Sequence, residues 1–247
     1  MINLPTIVAH RGLSALYPEN TAIAIEQAIQ AGAKAVEFDV QLTSDLVPVL
    51  FHDFHLQRLT GTKGTITEST WQQVQQLRMS YPERFNRQFE NEPVISLQQA
   101  LSLFAEYPLV VPCLEIKEDS IDVHGLDKVI STIVLATGAM TDRILFLSFS
   151  YDALDMLQRQ GLRNTVWVLR EYDQAHRERA GILGPAVLAV NINKLPQGDD
   201  VFWPGPWQWM VYQTEDAEVV RRFTRLGAKY IETDNIRLIA DTLPEYF

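Results

Sequence analysis

Short runs of β-branched and aliphatic residues recur along this chain, most of them followed by a stretch of helical periodicity. That rhythm constrains the fold more than any single motif does. The runs are Thr6–Ala9, Ala35–Val40, Leu109–Ile116, Ile144–Leu147, Thr165–Leu169, Ala186–Ile192, Gln208–Tyr212 and Lys229–Thr233. Helical periodicity marks Thr21–Ala31, Leu97–Ala105, Leu126–Ala136, Tyr151–Gln160, Asp216–Leu226 and Ile236–Thr242. In the first of these Ala22, Ile25, Ala28 and Ile29 share one face, Asn20 can cap the N-terminus and Gly32 can end the helix. Strands alternating with helices imply parallel βαβ units, and eight of them imply an α/β fold of the closed (β/α)8 TIM-barrel type. Such barrels commonly take about 250 residues, so residues 1–247 are read as one domain.

A ninth apolar run, Val47–His52, breaks the rhythm. Too few residues separate it from Ala35–Val40 for a crossover helix. The Ser and Asp of Thr43–Ser44–Asp45–Leu46 are turn formers, so the run is read as the return arm of a β-hairpin that carries His52 toward the second strand. The polar stretch that follows, at about 53–93, is longer than an ordinary connection and is expected to be an insertion over the barrel mouth.

Charge narrows the possible partners. The formal net charge is −10 and no Lys/Arg stripe is present, so nucleic acid is not expected as a partner. A phosphate-bearing small molecule would need a local cation site. The single cysteine, Cys113, lies in an apolar run and reads as a core residue. No signal-like leader and no apolar run of about 18 residues is found, so no integral membrane segment is expected and a cytoplasmic location is.

In a barrel of this kind the active site lies at the C-terminal ends of the strands, and polar residues there are the first candidates. The first strand ends in His10–Arg11–Gly12, a cationic pair suited to an anion held close to backbone. The second reads Val36–Glu37–Phe38–Asp39–Val40, and period-two alternation sends both carboxylates to one face, the barrel interior. The third adds Glu115 and Lys117 at the same spacing. Three inward carboxylates must share protons, bind a cation or pair with Arg11 and Lys117. As a metal site the oxygen set favours Mg²⁺ or Ca²⁺, with Mn²⁺ as a further candidate, over zinc. His52, at the end of the hairpin arm, supplies a second histidine beside them.

The motifs His10–Arg11–Gly12, Pro18–Glu19–Asn20–Thr21, Glu37–Phe38–Asp39–Val40, Leu42–Thr43, Asp45, Pro48–Val49, His52–Asp53 and Glu115–Ile116–Lys117 occur in one order. Together they closely resemble the glycerophosphodiester phosphodiesterase family, with weaker likeness through Leu147–Ser148–Phe149 and Thr233–Asp234. The resemblance implies a metal-dependent barrel hydrolase that releases glycerol 3-phosphate and an alcohol. It implies a metal on Glu37, Asp39 and Glu115, and an acid/base pair of His10 and His52. Arg11 and Lys117 are expected at the phosphate, and Glu19 beside Arg11 or as favourable charge at a helix N-terminus. Phe149 and Trp209 are candidates for the wall around the alcohol or glycerol; barrel-end packing is the alternative for the aromatic segment Asp199–Met210. Lysophospholipase D-like activity and a noncatalytic phosphate-ligand barrel are the rival functions. Three departures stand out: Leu46 replaces the usual Gly of the hairpin turn, Phe54–His55–Leu56–Gln57–Arg58–Leu59 lacks the acidic residues often found there, and Trp209–Met210–Val211–Tyr212 replaces Trp-Thr-Val-Asn.

Overall fold

The computed structural model describes residues 4–198 and 201–247. Met1–Asn3, at the start of the leader reading, and Asp199 and Asp200, at the start of the aromatic segment, lie outside the described residues. The expected strands form as β1 (Thr6–Ala9), β2 (Ala35–Leu42), β4 (Val111–Ile116), β5 (Leu145–Ser148), β6 (Thr165–Val168), β7 (Val187–Asn191), β8 (Gln208–Tyr212) and β9 (Tyr230–Thr233). The hairpin arm is β3 (Pro48–Leu50). The parallel strands run β1-β9-β8-β7-β6-β5-β4-β2, and β1 also pairs with β2, which closes the barrel. β3 lies outside the ring, antiparallel to β2 with Gln41 opposite Val49.

Alternation along each strand produces two apolar layers. Val36, Phe38 and Val40 face outward and pack with Ile25, Leu101, Phe104, Leu114 and Ile116 between sheet and helices. Val8, Ala35, Cys113, Leu147, Val166, Val187, Ala189 and Met210 face inward and fill the lower barrel. Cys113 is buried and free, as a core residue should be. The inner layer stops short of the strand ends, and the polar site sits above it.

The residues after β3 fold despite their polar composition. Leu56, Leu59, Ile66, Val74 and Met79 gather with Val49, Phe51 and Val94 into a separate small core. The segment holds three one-turn helices, Gln57–Thr60, Trp71–Val74 and Pro82–Phe85. Among the described residues no helix is long and apolar enough to cross a membrane.

Several local readings change. The helix α1 (Ala22–Gln30) is capped by Thr21, whose Oγ1 accepts from the Ala24 N–H at 3.3 Å, not by Asn20. Asn20 instead has φ 60° and turns its amide to Asp39. Two helices absent from the sequence reading are present, Glu118–His124 and Gln174–Leu183. The second of these carries a weak apolar stripe in a largely polar sequence, but Asp173 caps its start and Gly184 ends it in the left-handed conformation. The hairpin turn keeps its left-handed residue although Leu46 stands there, with φ 63°. Thr43 secures it by pairing with Val47 through both backbone and side chain.

One glycine is dictated by space. Gly12, directly after His10–Arg11, has φ +81°, and a Cβ there would lie 2.5 Å from the Ala24 backbone carbon of α1. The first helix therefore packs against the turn that carries the cationic pair.

Candidate active site

The ends of the strands surround a cavity of about 390 Å³. Its wall includes His10, Arg11, Glu37, His52, Glu115 and Lys117 on one side and Phe149, Asn191, Asn193, Tyr212 and Gln213 on the other. Leu147, Val168, Ala189 and Met210 form its apolar floor. Seven of the ten residues expected from sequence thus meet at one cavity, and Asp39 lies against that wall beneath Arg11 and Lys117.

His10 follows β1 directly, and its N–H is fixed to the Thr233 carbonyl at 2.9 Å. Its Nδ1 lies 2.6 Å from Asp234 Oδ1. Asp234 is itself held by the Ser14 hydroxyl at 3.2 Å and by Gln213 Nε2 at 2.7 Å. With Nδ1 engaged, Nε2 is the free edge, 4.0 Å from Glu37 Oε2. Burial lowers the His10 pKa, but the Glu232 charge and the Asp234 hydrogen bond outweigh it and the net shift is upward. His52 repeats the device, with Nδ1 2.8 Å from Asp53 Oδ1. Its backbone is fixed by Gln41, buried in β2, whose amide donates to the carbonyls of Phe51, His52 and Asp53 at 3.1, 3.2 and 2.7 Å.

The carboxylates of Glu37, Asp39 and Glu115 offer oxygens that all lie within 4.8 Å of one another. Asp39 is the best compensated. Asn20 Nδ2 donates to it at 2.8 Å, Arg11 Nε is 3.2 Å away and Lys117 Nζ is 3.3 Å away. Asn20 Oδ1 also accepts the Asp39 N–H at 3.0 Å, so one amide serves both ends of the residue. Against the cost of burial, Arg11 and Lys117 hold the Asp39 carboxyl well below the usual range. Glu115 receives Lys117 Nζ at 2.9 Å.

Glu37 differs. Its Oε2 accepts the Arg11 N–H at 3.0 Å, but Oε1 is buried with no partner among the described residues. Burial, with Asp39 and Glu232 nearby, pushes its carboxyl well above the usual range. Ion pairs with Arg11 and Lys117 are therefore present, as the alternative to a metal required, yet they leave Glu37 Oε1 without a partner. Two buried carboxylates and one half-buried, with one oxygen lacking a partner, fit a hard divalent cation. The second acidic group, Glu19, His52 and Asp53, already holds a cation in Arg58.

Arg58 extends the network. Nε and NH2 donate to Asp53 at 2.6 and 2.7 Å, and NH1 and NH2 donate to Glu19 at 2.8 Å each. Glu19 also accepts from Arg11 NH1 at 2.8 Å. Charges thus alternate from Arg11 through Glu19, Arg58 and Asp53 to His52, joining the two histidine-bearing edges. Arg11 and Asn20 both take positive φ, 55° and 60°, a strained conformation for non-glycine residues that packing around the site sustains.

One expectation about the wall is corrected. Trp209 faces outward: it belongs to the layer between sheet and helices and stacks on Phe202 at 4.8 Å, because alternation on β8 gives the interior to Met210 and Tyr212. Glu19 does not line the cavity and is buried beside Arg11, whose NH1 donates to it. Phe149 does line the cavity, with the Arg170 guanidinium 5.0 Å above its ring. Sequence reasoning assigned no role to Gln41, Arg58, Glu232 or Asp234, although Asp234 stands in the weaker part of the family likeness. The last two had a usable signal, since Glu232–Thr233–Asp234 at a strand end repeats the spacing of Glu37–Phe38–Asp39.

The geometry can be set beside known proteins. Residues 10–238 match the glycerophosphoryl diester phosphodiesterase family. The uncharacterized protein YqiK of Bacillus subtilis is 31% identical over 153 residues, 62% of this chain and 61% of that relative, so the match spans about three fifths of its length. A glycerophosphodiester phosphodiesterase of Caldanaerobacter subterraneus is 26% identical over 235 residues, 93% of each chain. In structure, an Oleispira antarctica phosphodiesterase in complex with the product sn-glycerol-3-phosphate superposes with a TM-score of 0.82 at 24% identity, covering 98% of this chain and 97% of that one. The match over nearly the whole chain, with the closed barrel beneath it, shows that this chain belongs to the glycerophosphoryl diester phosphodiesterase family.

Proposed function

We propose that this chain hydrolyses glycerophosphodiesters to glycerol 3-phosphate and an alcohol, using His10 and His52 as the acid/base pair beside a divalent cation. One observation carries the reading: two histidines, each with Nδ1 tied to its own carboxylate, line the same cavity as a three-carboxylate cluster. Family membership supports it, as does the sn-glycerol-3-phosphate held by the Oleispira antarctica fold neighbour.

A phosphodiester is a monoanion, and nucleophilic attack concentrates further charge on its nonbridging oxygens. Arg11 and Lys117 present positive charge at the cavity wall and stabilise that charge in a site partly closed to water. Glu37, Asp39 and Glu115 would hold a Mg²⁺ or Ca²⁺ ion, which supplies Lewis-acid charge to the same oxygens. The upward shift of His10 keeps its imidazole charged to higher pH than a free histidine, which suits it to protonate the leaving oxygen from Nε2. His52 then accepts the proton of the nucleophile, with Asp53 stabilising the imidazolium that forms.

The experiment is release of the free alcohol, choline or ethanolamine, from glycerophosphocholine, glycerophosphoethanolamine and a lysophospholipid, before and after chelation, with glycerol 3-phosphate as the co-product of the first two. Turnover of the first two that stops on chelation and returns with Mg²⁺, Ca²⁺ or Mn²⁺ is expected. Turnover of the lysophospholipid alone, or turnover indifferent to chelator, contradicts the reading.

A further inference from the structure

Glu232 is a buried carboxylate that neither the acid/base pair nor the metal cluster uses. It sits on the inner face of β9, in register with Val8 of β1, one layer below the Asp234 that holds His10. It is 5% exposed, lines the cavity, and has its Oε1 buried with no hydrogen-bond partner among the described residues. Arg11 pairs with Glu19 and Asp39, Lys117 with Asp39 and Glu115, and Arg58 with Glu19 and Asp53; His10 is the charge that acts most on Glu232, but its Nδ1 is tied to Asp234 and it leaves Oε1 without a hydrogen bond. Glu232 also stands outside both acidic groups whose oxygens are close enough to share an ion.

A carboxylate in this position costs free energy that an apolar side chain of similar size would not, unless a ligand brings it donors. The donors cannot be phosphate oxygens, which carry the same charge. The other part of a glycerophosphodiester does supply them: the free end of its glycerol carries hydroxyls on adjacent carbons, and the Glu232 carboxyl, whose pKa burial pushes up to about 7, keeps an oxygen that accepts in either protonation state. Arg11 and Lys117 on the wall then favour the phosphate, and the carboxyl of Glu232, on the inner face of β9 below Asp234, is left as an acceptor for the hydroxyls.

We propose that Glu232 accepts hydrogen bonds from the free hydroxyls of the substrate's glycerol, and so sets a preference for deacylated glycerophosphodiesters over those acylated on that glycerol. This rests on the function proposed above. Acylation of one hydroxyl removes one of two donors and leaves a carboxylate oxygen buried without a partner, the asymmetry by which polar sites reject analogues lacking a group.

The test compares ligands that differ only by the glycerol. Dissociation constants of sn-glycerol 3-phosphate and of inorganic phosphate are measured by calorimetry on the Mg²⁺-loaded wild type, Glu232→Gln and Glu232→Met. Gln is nearly isosteric and keeps one acceptor, so it answers the question should Met disturb folding. Both variants are expected to weaken sn-glycerol 3-phosphate by about 10–100-fold, Met more than Gln, against a change of under about threefold for phosphate. Equal weakening of both ligands, or no weakening of either, overturns the proposal. A wild type that binds sn-glycerol 3-phosphate but releases none from any diester fails the functional reading instead, which keeps the two failures apart.

Discussion

Replacing Arg58 by Met removes the cation that bridges Glu19 and Asp53, and its effect can be worked from the bonds it makes. The guanidinium donates four charged hydrogen bonds, two to each carboxylate. Stripping one partner from a fully buried ion pair costs about 3–5 kcal/mol. Here the Arg58 side chain is 32% exposed, Asp53 22% and Glu19 7%, so solvent screening reduces the figure to about 2–3 kcal/mol. Glu19 keeps Arg11 and Asp53 keeps His52, which also limits the loss. For a chain of this size that corresponds to a fall in Tm of about 5–10 °C. Activity should fall as well, because Asp53 loses the contact that orients it against His52. A drop in kcat of about 10–100-fold is expected, the size seen when a group that orients a ligating histidine is lost, with little change in KM. Thermal melts and initial rates on glycerophosphocholine check both numbers. Combining the change with Asp53→Asn should cost less than the sum of the two, since they break one chain of contacts. A variant within about 1 °C and about twofold in kcat of wild type would refute the claim that this network positions His52.

Other perturbations follow from single contacts. Gly12→Ala forces a Cβ to within 2.5 Å of the Ala24 backbone at φ +81°; a loss of about 2 kcal/mol or more in urea unfolding is expected, together with lower activity as His10 and Arg11 shift. Asn20→Ala leaves the Asp39 N–H buried without its acceptor and removes a donor from the Asp39 carboxylate; about 2–3 kcal/mol of stability and about 10–100-fold in divalent-metal affinity should be lost, read by unfolding and by metal titration. The His10–Asp234 pair predicts a pH signature. The His10 pKa is raised, so its contribution is complete below the unfolded imidazole value and disappears as pH rises through the folded one. Burial works against Asp234, but the His10 hydrogen bond lowers its pKa, so its contribution is complete above the unfolded carboxyl value and disappears as pH falls through the folded one. The stability gap between wild type and Asp234→Asn should therefore be widest between roughly pH 4 and 6.5 and narrow on the alkaline side. A gap that does not vary with pH contradicts the pairing.

How far the sequence could be read depended on how local each signal was. The strands were legible because a parallel strand covered on both faces is largely apolar, and every expected run forms a strand with ends shifted by at most two residues. Glu37 and Asp39 were legible because period-two alternation is rigid and two inward carboxylates demand compensation. The helix Gln174–Leu183 was not, since Ala180 and Leu183 are its only buried residues and little periodicity survives. Trp209 misled because aromatic content was weighed above the same alternation rule that succeeded on β2; applied to β8, the rule gives Met210 and Tyr212. Asn20 looked like a helix cap by residue type, but its role depends on Asp39, brought near only when α1 packs on the barrel. Arg58 was invisible for the same reason. It lies in a polar segment whose small core had to form before its guanidinium could reach Glu19, 39 positions away.

The central claim is that His10 and His52 carry the proton transfers of phosphodiester cleavage. It is tested most directly by kcat for glycerol 3-phosphate release from glycerophosphocholine by His10→Ala and His52→Ala, each with bound metal and folded stability verified. Each variant is expected to lose about 10²–10⁴-fold in kcat. Near wild-type turnover by either variant would contradict the account.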